Sequence, residues 1–192
     1  MRVIGGSSRG RKLPARLPAG VRPTSDRVRE SIFDILGSMG GVDGATVMDL
    51  FCGSGALGAE ALSRGAVEVT FVDHDTAALE AARANLAAAG LADRRVSVVR
   101  AELPGWLSRA PKVDIALCDP PYAFADWATL LGSLQADVAV LESAADADVD
   151  VPAGWVLHRA RRYGGTLVTV ARMTPAAPAT PPARTAAPAT VS

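Results

Sequence analysis

Cysteine is nearly absent from this chain: Cys52 and Cys118 are the only two in 192 residues. Two cysteines make no disulfide framework, and no C-x-x-C or His/Cys cluster points to a metal. A reducing cytoplasm is therefore the simplest compartment. Long hydrophobic runs are also missing. No stretch approaches the roughly 20 apolar residues that a bilayer span needs. The opening "MRVIGGSSRGRKLP" is charged and has no apolar core, so it does not read as a signal peptide. Aromatics make up only 5% against 49% hydrophobic residues, which implies a core of Ala, Val and Leu. There are no internal repeats, and nothing in the chain demands a dimer, so a monomer is expected.

Neither charge sign is in excess overall, since 20 basic residues balance 20 acidic ones. The balance is uneven along the chain. Residues 1–30 hold Arg2, Arg9, Arg11, Lys12, Arg16, Arg22, Arg27 and Arg29 against Asp26 and Glu30, a net of +6. The remainder carries twelve basic and eighteen acidic residues, a net of −6. Such an asymmetry points to a basic arm for a polyanion. The plainer alternative is a solvated, Arg-rich terminus.

The pattern divides the chain into a basic N-terminal arm over 1–23, a folded domain over 24–173 and a tail over 174–192. The tail, "TPAAPATPPARTAAPATVS", is rich in Pro, Ala and Thr and is expected to be disordered. Glycines at 5, 6, 10 and 20 mark turns in the arm, which reads as irregular or as a hairpin. Thr24, Ser25 or Asp26 can cap a helix through "RVRESIFDILGS". From residue 45 strands and helices alternate: strands at "TVMDLF", "VEVTFVD", "RVSVV", "KVDIALCD" and "DVAVLES", helices at "GALGAEALSRG", "DTAALEAARANLAAAGL", "PGWLSRA" and "FADWATLLGSLQA". "GWVLHRARRYG" and "GTLVTVARM" close the chain as a hairpin. Alternating β and α elements with apolar strands predict an α/β fold, a doubly wound, mostly parallel seven-stranded sheet with an antiparallel last strand. Glu142, Asp146, Asp148 and Asp150 read as acids of a solvated loop.

"MDLFCGSGALGAE" places Gly53, Gly55 and Gly58 in a G-x-G-x-x-G turn between a strand and a helix. Such a turn lets backbone approach a nucleotide, and Asp73, twenty residues on, ends the next strand where it can hold a ribose. Gly-rich turns also join strands to helices with no ligand at all. NAD(P) and S-adenosylmethionine both use this architecture. Asp49, inside the first strand, separates them, because an acid there repels a pyrophosphate but suits a positive sulfonium and amino group. Asp49 can also be read as an acid bonded only to backbone amides.

"LCDPPYAF" ends the fourth strand, beside the first in a doubly wound order. Ligands sit at strand carboxyl ends in such sheets. Pro120 and Pro121 lack N–H groups and stop the ladder. The Asp119 carboxylate and the Pro120 carbonyl can then present two acceptors to one –NH2 group, with Tyr122 as a stacking face. Two acceptors favour a tetrahedral amine nitrogen whose lone pair faces a methyl donor, so catalysis is mainly proximity and orientation. The target base would be extruded from its stack or presented unpaired. A strand-to-loop stop is the plain alternative.

"MRVIGG…RGRKL", "RPTSDRVRESIFDIL", "MDLFCGSGALGAEALSRGA", "FVDHD", "CDPPY" and "GWVLHR" together resemble, in order and spacing, the bacterial 16S rRNA guanine-N2 methyltransferase family (RsmD). The resemblance covers about residues 1–172 and implies a Rossmann-like class I methyltransferase fold with S-adenosylmethionine as cofactor. It implies that Phe51, Cys52, Gly53, Ser54 and Gly55 hold the methionine part, with Asp49 near its amino group and Asp73 on the ribose. Glu102, in Ala101–Leu103, would border the adenine, although a small polar residue is more usual there. Thr24 and Arg27 would close over the cofactor. Asp119, Pro120 and Tyr122 would hold the target guanine. Arg9, Arg11, Lys12 and Arg22 would meet phosphates of 16S rRNA, in a 30S particle or its precursor, at a guanine-966-type site. A DNA adenine-N6 methyltransferase shares "DPPY", and a non-catalytic rRNA-binding assembly factor could share the fold. An NAD-dependent oxidoreductase is a more distant reading.

Overall fold

The first strand, "TVMDL", is buried along nearly its whole length, and this follows from where it sits. The computed structural model describes residues 1–15 and 25–174. Its elements are α1 (Asp26–Ser38), β1 (Thr46–Leu50), α2 (Ala56–Ser63), β2 (Glu68–Asp73), α3 (Thr76–Ala88), β3 (Arg95–Arg100), a 3-10 turn (Gly105–Arg109), β4 (Val113–Cys118), α4 (Trp127–Ser133), β5 (Ala136–Ala144), β6 (Trp155–Tyr163) and β7 (Thr166–Met173). The sheet order is β3-β2-β1-β4-β5-β7-β6. The first five strands are parallel, and β7 runs antiparallel to both β5 and β6. This is the doubly wound sheet expected from the alternation, with the antiparallel last strand in place.

Two apolar clusters cover the two faces of the sheet. One gathers α1, α2, α3 and the start of the chain around Val47, Val69, Phe71, Ile115, Leu117, Val168 and Val170. The other packs α4 and the 3-10 turn on Met48, Leu50, Val72, Ala116, Cys118 and Leu141. Helices on both faces explain why the central strands read as continuous apolar runs rather than as alternation. Every residue of α2 is buried, because the start of the chain covers the side that β1 and β2 do not.

That covering segment is a hairpin. Arg2 and Lys12 form its bridge, and Val3 and Leu13 insert into the core. The backbone N–H groups of Ile4 and Gly5 donate to the Glu60 carboxylate at 2.8 and 2.7 Å. Ser63 Oγ accepts from Ser8 N–H and donates to the Gly5 carbonyl. Gly6 has φ +72°, and a Cβ there would collide with the Ser63 carbonyl, so only glycine allows the hairpin this close to α2. Arg29 of α1 is fully buried and donates to the Arg2 carbonyl and to Asp26. Of the three possible caps of α1, Ser25 is the one that accepts from Val28 N–H. Thr24 and Arg22 lie outside the described residues, as does the tail beyond Thr174.

Three expectations change. The helix predicted over 104–110 is a short 3-10 turn. The helix predicted from Phe124 begins at Trp127, because Phe124 N–H closes a turn on the Pro121 carbonyl at 2.8 Å. Glu142 belongs to no solvated loop: it is buried within β5, opposite Val168.

Candidate active site

The order of the sheet reverses between β1 and β4, so their carboxyl ends open a crevice. Leu50 is registered with Cys118, which sets the turn after β1 beside the turn after β4. Asp119 N–H reaches the Leu50 carbonyl across that junction at 3.4 Å. After β1 the chain takes positive φ at Phe51 (55°), Gly53 (51°) and Gly55 (72°). Gly55 N–H closes on the Cys52 carbonyl at 2.7 Å. A Cβ at Gly58 would meet the buried Phe71 ring, with Cζ at 2.6 Å. The third glycine of the motif therefore serves the close approach of α2 to β2.

Three carboxylates converge here. Asp49 is 1% exposed, and its Oδ2 accepts from Gly58 N–H at 2.8 Å. Burial pushes its carboxyl well above the usual range; the Gly58 N–H opposes this, and the charges of Asp119 and Asp73 add to it. Asp73, also buried, accepts from Gly53 N–H at 2.9 Å and from Asp75 N–H at 3.0 Å. It thus ties the glycine turn to the end of β2, and Oδ2, which among the described residues accepts from Gly53 N–H alone, keeps a further lone pair. Among the described residues, no Lys or Arg forms an ion pair with Asp49 or Asp73; the exposed His74 has its Nδ1 3.3 Å from Asp73 Oδ1. Burial, reinforced by Asp49, also holds the Cys52 and Cys118 thiols protonated, so neither is a nucleophile. A crevice with this much negative potential and a tight glycine turn fits a cationic nucleotide derivative and disfavours a pyrophosphate.

Asp119 is partly exposed at the end of β4, and Pro120 is buried behind it. The Pro121 carbonyl is occupied by Phe124 N–H, whereas no hydrogen bond among the described residues engages the Pro120 carbonyl. Tyr122 is 42% exposed, and its hydroxyl is bonded to Thr166 Oγ1 at 2.8 Å. One anchored end and a free ring suit a stacking platform. Behind the turn runs an aromatic chain. Phe51 and Phe124 meet at 5.3 Å between centroids, and Phe124 meets Trp127 edge-on at 5.0 Å. This chain joins the two turns, and nothing in the spacing of Phe124 flagged it.

The other expected residues spread more widely. Glu102 is exposed beyond β3, in a loop fixed near the site by Ala101 N–H donating to the Asp73 carbonyl. Arg27 is exposed on the first turn of α1. Arg9, Arg11 and Lys12 are exposed on the N-terminal hairpin. Ser54 is buried, and its carbonyl accepts from Asn85 Nδ2 at 2.9 Å. Asn85, fully buried on α3, also holds Ala15: its Oδ1 accepts from Ala15 N–H at 2.8 Å and its Nδ2 reaches the Ala15 carbonyl at 3.2 Å. One side chain thus fastens the N-terminal hairpin to the glycine turn. Among the described residues no group of three His, Cys, Asp or Glu side chains is placed to hold a metal, and no helix is long and apolar enough to cross a membrane.

Comparison with known proteins agrees with this geometry. The small-subunit ribosomal RNA methyltransferase D of Escherichia coli K12 is 36% identical over 173 residues, covering 85% of each chain. The corresponding Haemophilus influenzae protein is 37% identical over 127 residues, covering 65% of each. The solved structure of the Escherichia coli protein yhhF superposes with a TM-score of 0.76 at 34% identity, covering 90% of this chain and 97% of that one. A magnesium protoporphyrin IX methyltransferase from Synechocystis, solved with bound S-adenosylmethionine, shares the fold at 19% identity with a TM-score of 0.63, over 77% of this chain and 79% of its own. Residues 1–172 match the family described as Conserved hypothetical protein 95. With a class I, Rossmann-like methyltransferase sheet built around that match, the chain belongs to this family, that of RsmD.

Proposed function

We propose that the chain is an S-adenosylmethionine-dependent rRNA methyltransferase that modifies the exocyclic N2 of a guanine in 16S rRNA, at a guanine-966-type site. The observation that carries this reading is the placement of Asp119, Pro120 and Tyr122 directly beside the glycine turn, where among the described residues neither Asp49 nor Asp73 is paired with a lysine or arginine. The names of the rRNA methyltransferase relatives support the substrate class.

S-adenosylmethionine, when bound, supplies an electrophilic methyl group on a positive sulfonium. The protein's part is to bind, orient and exclude water. The backbone of Phe51–Gly55 and the carboxylate of Asp49 would hold the methionine part; Asp73 would hold the ribose, and Glu102 would border the adenine. Thr24 and Arg27 would close over it. The Asp119 carboxylate and the Pro120 carbonyl would accept the two hydrogens of the guanine amine, and Tyr122 would stack on the ring. Aligning that nitrogen is the main catalytic contribution. As its bond to the methyl forms, the sulfur–methyl bond breaks and S-adenosylhomocysteine leaves; the methylated nitrogen is then acidic enough to lose its proton without a strong base. Arg9, Arg11, Lys12 and Arg22 would meet rRNA phosphates. We place the reaction in the cytoplasm, on a 30S particle or its precursor, with the enzyme acting as a monomer.

The test uses labelled S-adenosylmethionine with 30S subunits from a strain lacking the modification, and with duplex DNA as the competing substrate. The expected product is N2-methylguanine in 16S rRNA, located by mass spectrometry. Asp119→Ala should keep cofactor binding and lose most transfer. Label found only in DNA would overturn the reading.

A further inference from the structure

Among the described residues, strand β6 forms one edge of the sheet and pairs with β7 alone. Its residues from Val156 to Arg162 are all exposed, and they include His158, Arg159, Arg161 and Arg162. Across residues 151–174 there are four arginines and no acid, whereas residues 31–150 hold seven basic and eighteen acidic residues, a net of −11. In that acidic middle, Arg64, Arg95 and Lys112 are paired with Glu60, Glu68 and Asp137. Among the described residues, Arg159, Arg161, Arg162 and Arg172 have no ion-pair partner.

We propose that this edge is a second rRNA-docking surface, on which Arg159, Arg161 and Arg172 take phosphates flanking the target nucleotide. The proposal rests on the rRNA reading above. Register explains why these three act together. Trp155 lies opposite Met173 and Leu157 opposite Ala171, but a bulge at His158 breaks the alternation. A one-residue slip moves every later side chain to the other face of a strand. Arg159 and Arg161 consequently share a face with their partners Val170 and Val168, and Arg172, two residues beyond Val170, shares it too. Val168 and Val170 belong to the cluster that also contains Val3 and Leu13 of the N-terminal hairpin. The two basic segments, far apart in sequence, therefore lie toward one face of the sheet.

The position also fits. β6 ends at Tyr163, opposite Thr166, and Thr166 Oγ1 holds the Tyr122 hydroxyl. Through Val168 and Glu142, Arg161 stands level with the end of β4, three strand spacings or about 14 Å away. Arg159 lies two residues, and Arg172 of β7 four residues or about 13 Å, further from the strand ends, so the three would follow a backbone leading away from a base held at Asp119. Arginines also protect free edges from pairing with another strand, and bulges do the same. Protection alone does not call for the exclusion of acids over the whole hairpin, nor for three guanidiniums on one face. Pairing of β6 with β6 of a second copy would set arginines against arginines, which opposes that occupant.

The experiment uses the full chain and unmodified 30S subunits, comparing wild type with Arg159→Ala/Arg161→Ala and with Arg159→Lys/Arg161→Lys. All three proteins should have similar thermal midpoints and bind S-adenosylhomocysteine equally. The alanine pair should raise KM for 30S with kcat kept, and should reduce the slope of log affinity against log salt by about 0.7–0.9 for each phosphate it no longer neutralises. The lysine pair should restore the slope, because phosphate binding needs charge at this spacing. An unchanged slope and KM in the alanine pair would overturn the proposal, as would an alanine effect that lysine fails to restore, or a changed oligomeric state in place of a changed slope. Wild-type activity on 30S distinguishes the two readings. If wild type methylates rRNA and the alanine pair behaves like it, only the edge proposal fails; if wild type does not methylate rRNA, both fail.

Discussion

Replacing Asn85 by leucine measures how strongly the N-terminal hairpin and the glycine turn are held together. Asn85 is fully buried and makes three hydrogen bonds, two to Ala15 and one to Ser54. A satisfied buried hydrogen bond is worth about 1 kcal/mol net, so the three together contribute about 3 kcal/mol. Leucine has the same branched shape and number of side-chain heavy atoms, so the substitution opens no cavity. For a chain of this length 1 kcal/mol moves Tm by about 2–4 °C, so Asn85→Leu should lower it by about 6–12 °C. Asn85→Asp sharpens the test. It keeps an acceptor for Ala15 N–H but turns a carboxylate toward the carbonyls of Ala15 and Ser54. The folded state would then favour the protonated acid, which can donate. That penalty is absent below the unfolded carboxyl pKa of about 3.9 and grows as pH rises. The Tm deficit of Asn85→Asp should therefore exceed that of the leucine variant at pH 7 and shrink at pH 5. Calorimetry with S-adenosylhomocysteine should show weaker binding in both variants, because Ser54 loses its anchor. A leucine variant melting within about 2 °C of wild type, or an aspartate deficit that grows on acidification, would refute the reasoning.

Three further outcomes follow from the site. Asp49→Asn keeps an acceptor for Gly58 N–H and removes a buried charge. The wild-type charge penalty is absent below the unfolded carboxyl pKa and increases toward neutrality, so the ligand-free variant should melt about 2–4 °C higher at pH 7, with less gain at pH 4, while S-adenosylhomocysteine affinity falls at least about tenfold. Gly58→Ala drives a methyl into the Phe71 ring and within 3.0 Å of Asp49 Oδ2; overpacking of about 1–3 kcal/mol outweighs a helix gain of about 0.5–1, so Tm should fall, whereas Gly37→Ala, with no atom near its Cβ, should leave it equal or higher. Tyr122→Phe loses only the bond to Thr166 and should keep most activity on 30S, while Tyr122→Ala should lower kcat/KM about 5- to 150-fold, the worth of one stacked base.

The sheet was legible in the sequence because burial on both faces leaves a plain mark. The runs from Thr46, Val67 and Lys112 are apolar and end in Gly or Asp, and each became a central strand. The crevice was legible for the same reason: Asp49, Asp73 and Asp119 are acids in or at the ends of otherwise apolar runs, an arrangement that buried backbone amides or a cationic ligand must compensate. The residues that went unread are two polar ones inside helices and one aromatic in a turn. Asn85 lies in the alanine-rich "AARANLAA", where a polar residue looks like a solvated position, and its partners are 70 and 31 residues away. Arg29 sits among charges in "DRVRE" and reads as surface, yet it is buried because the hairpin folds over it. Phe124 looked like the start of a helix, whereas the Pro121 carbonyl takes its N–H and turns its ring toward Phe51. The strand carrying Arg159 and Arg161 was legible as a strand, but its edge position depends on β7 inserting between β5 and β6. That insertion turns a basic strand into an exposed one, and the bulge at His158 then selects the face its arginines share with Arg172.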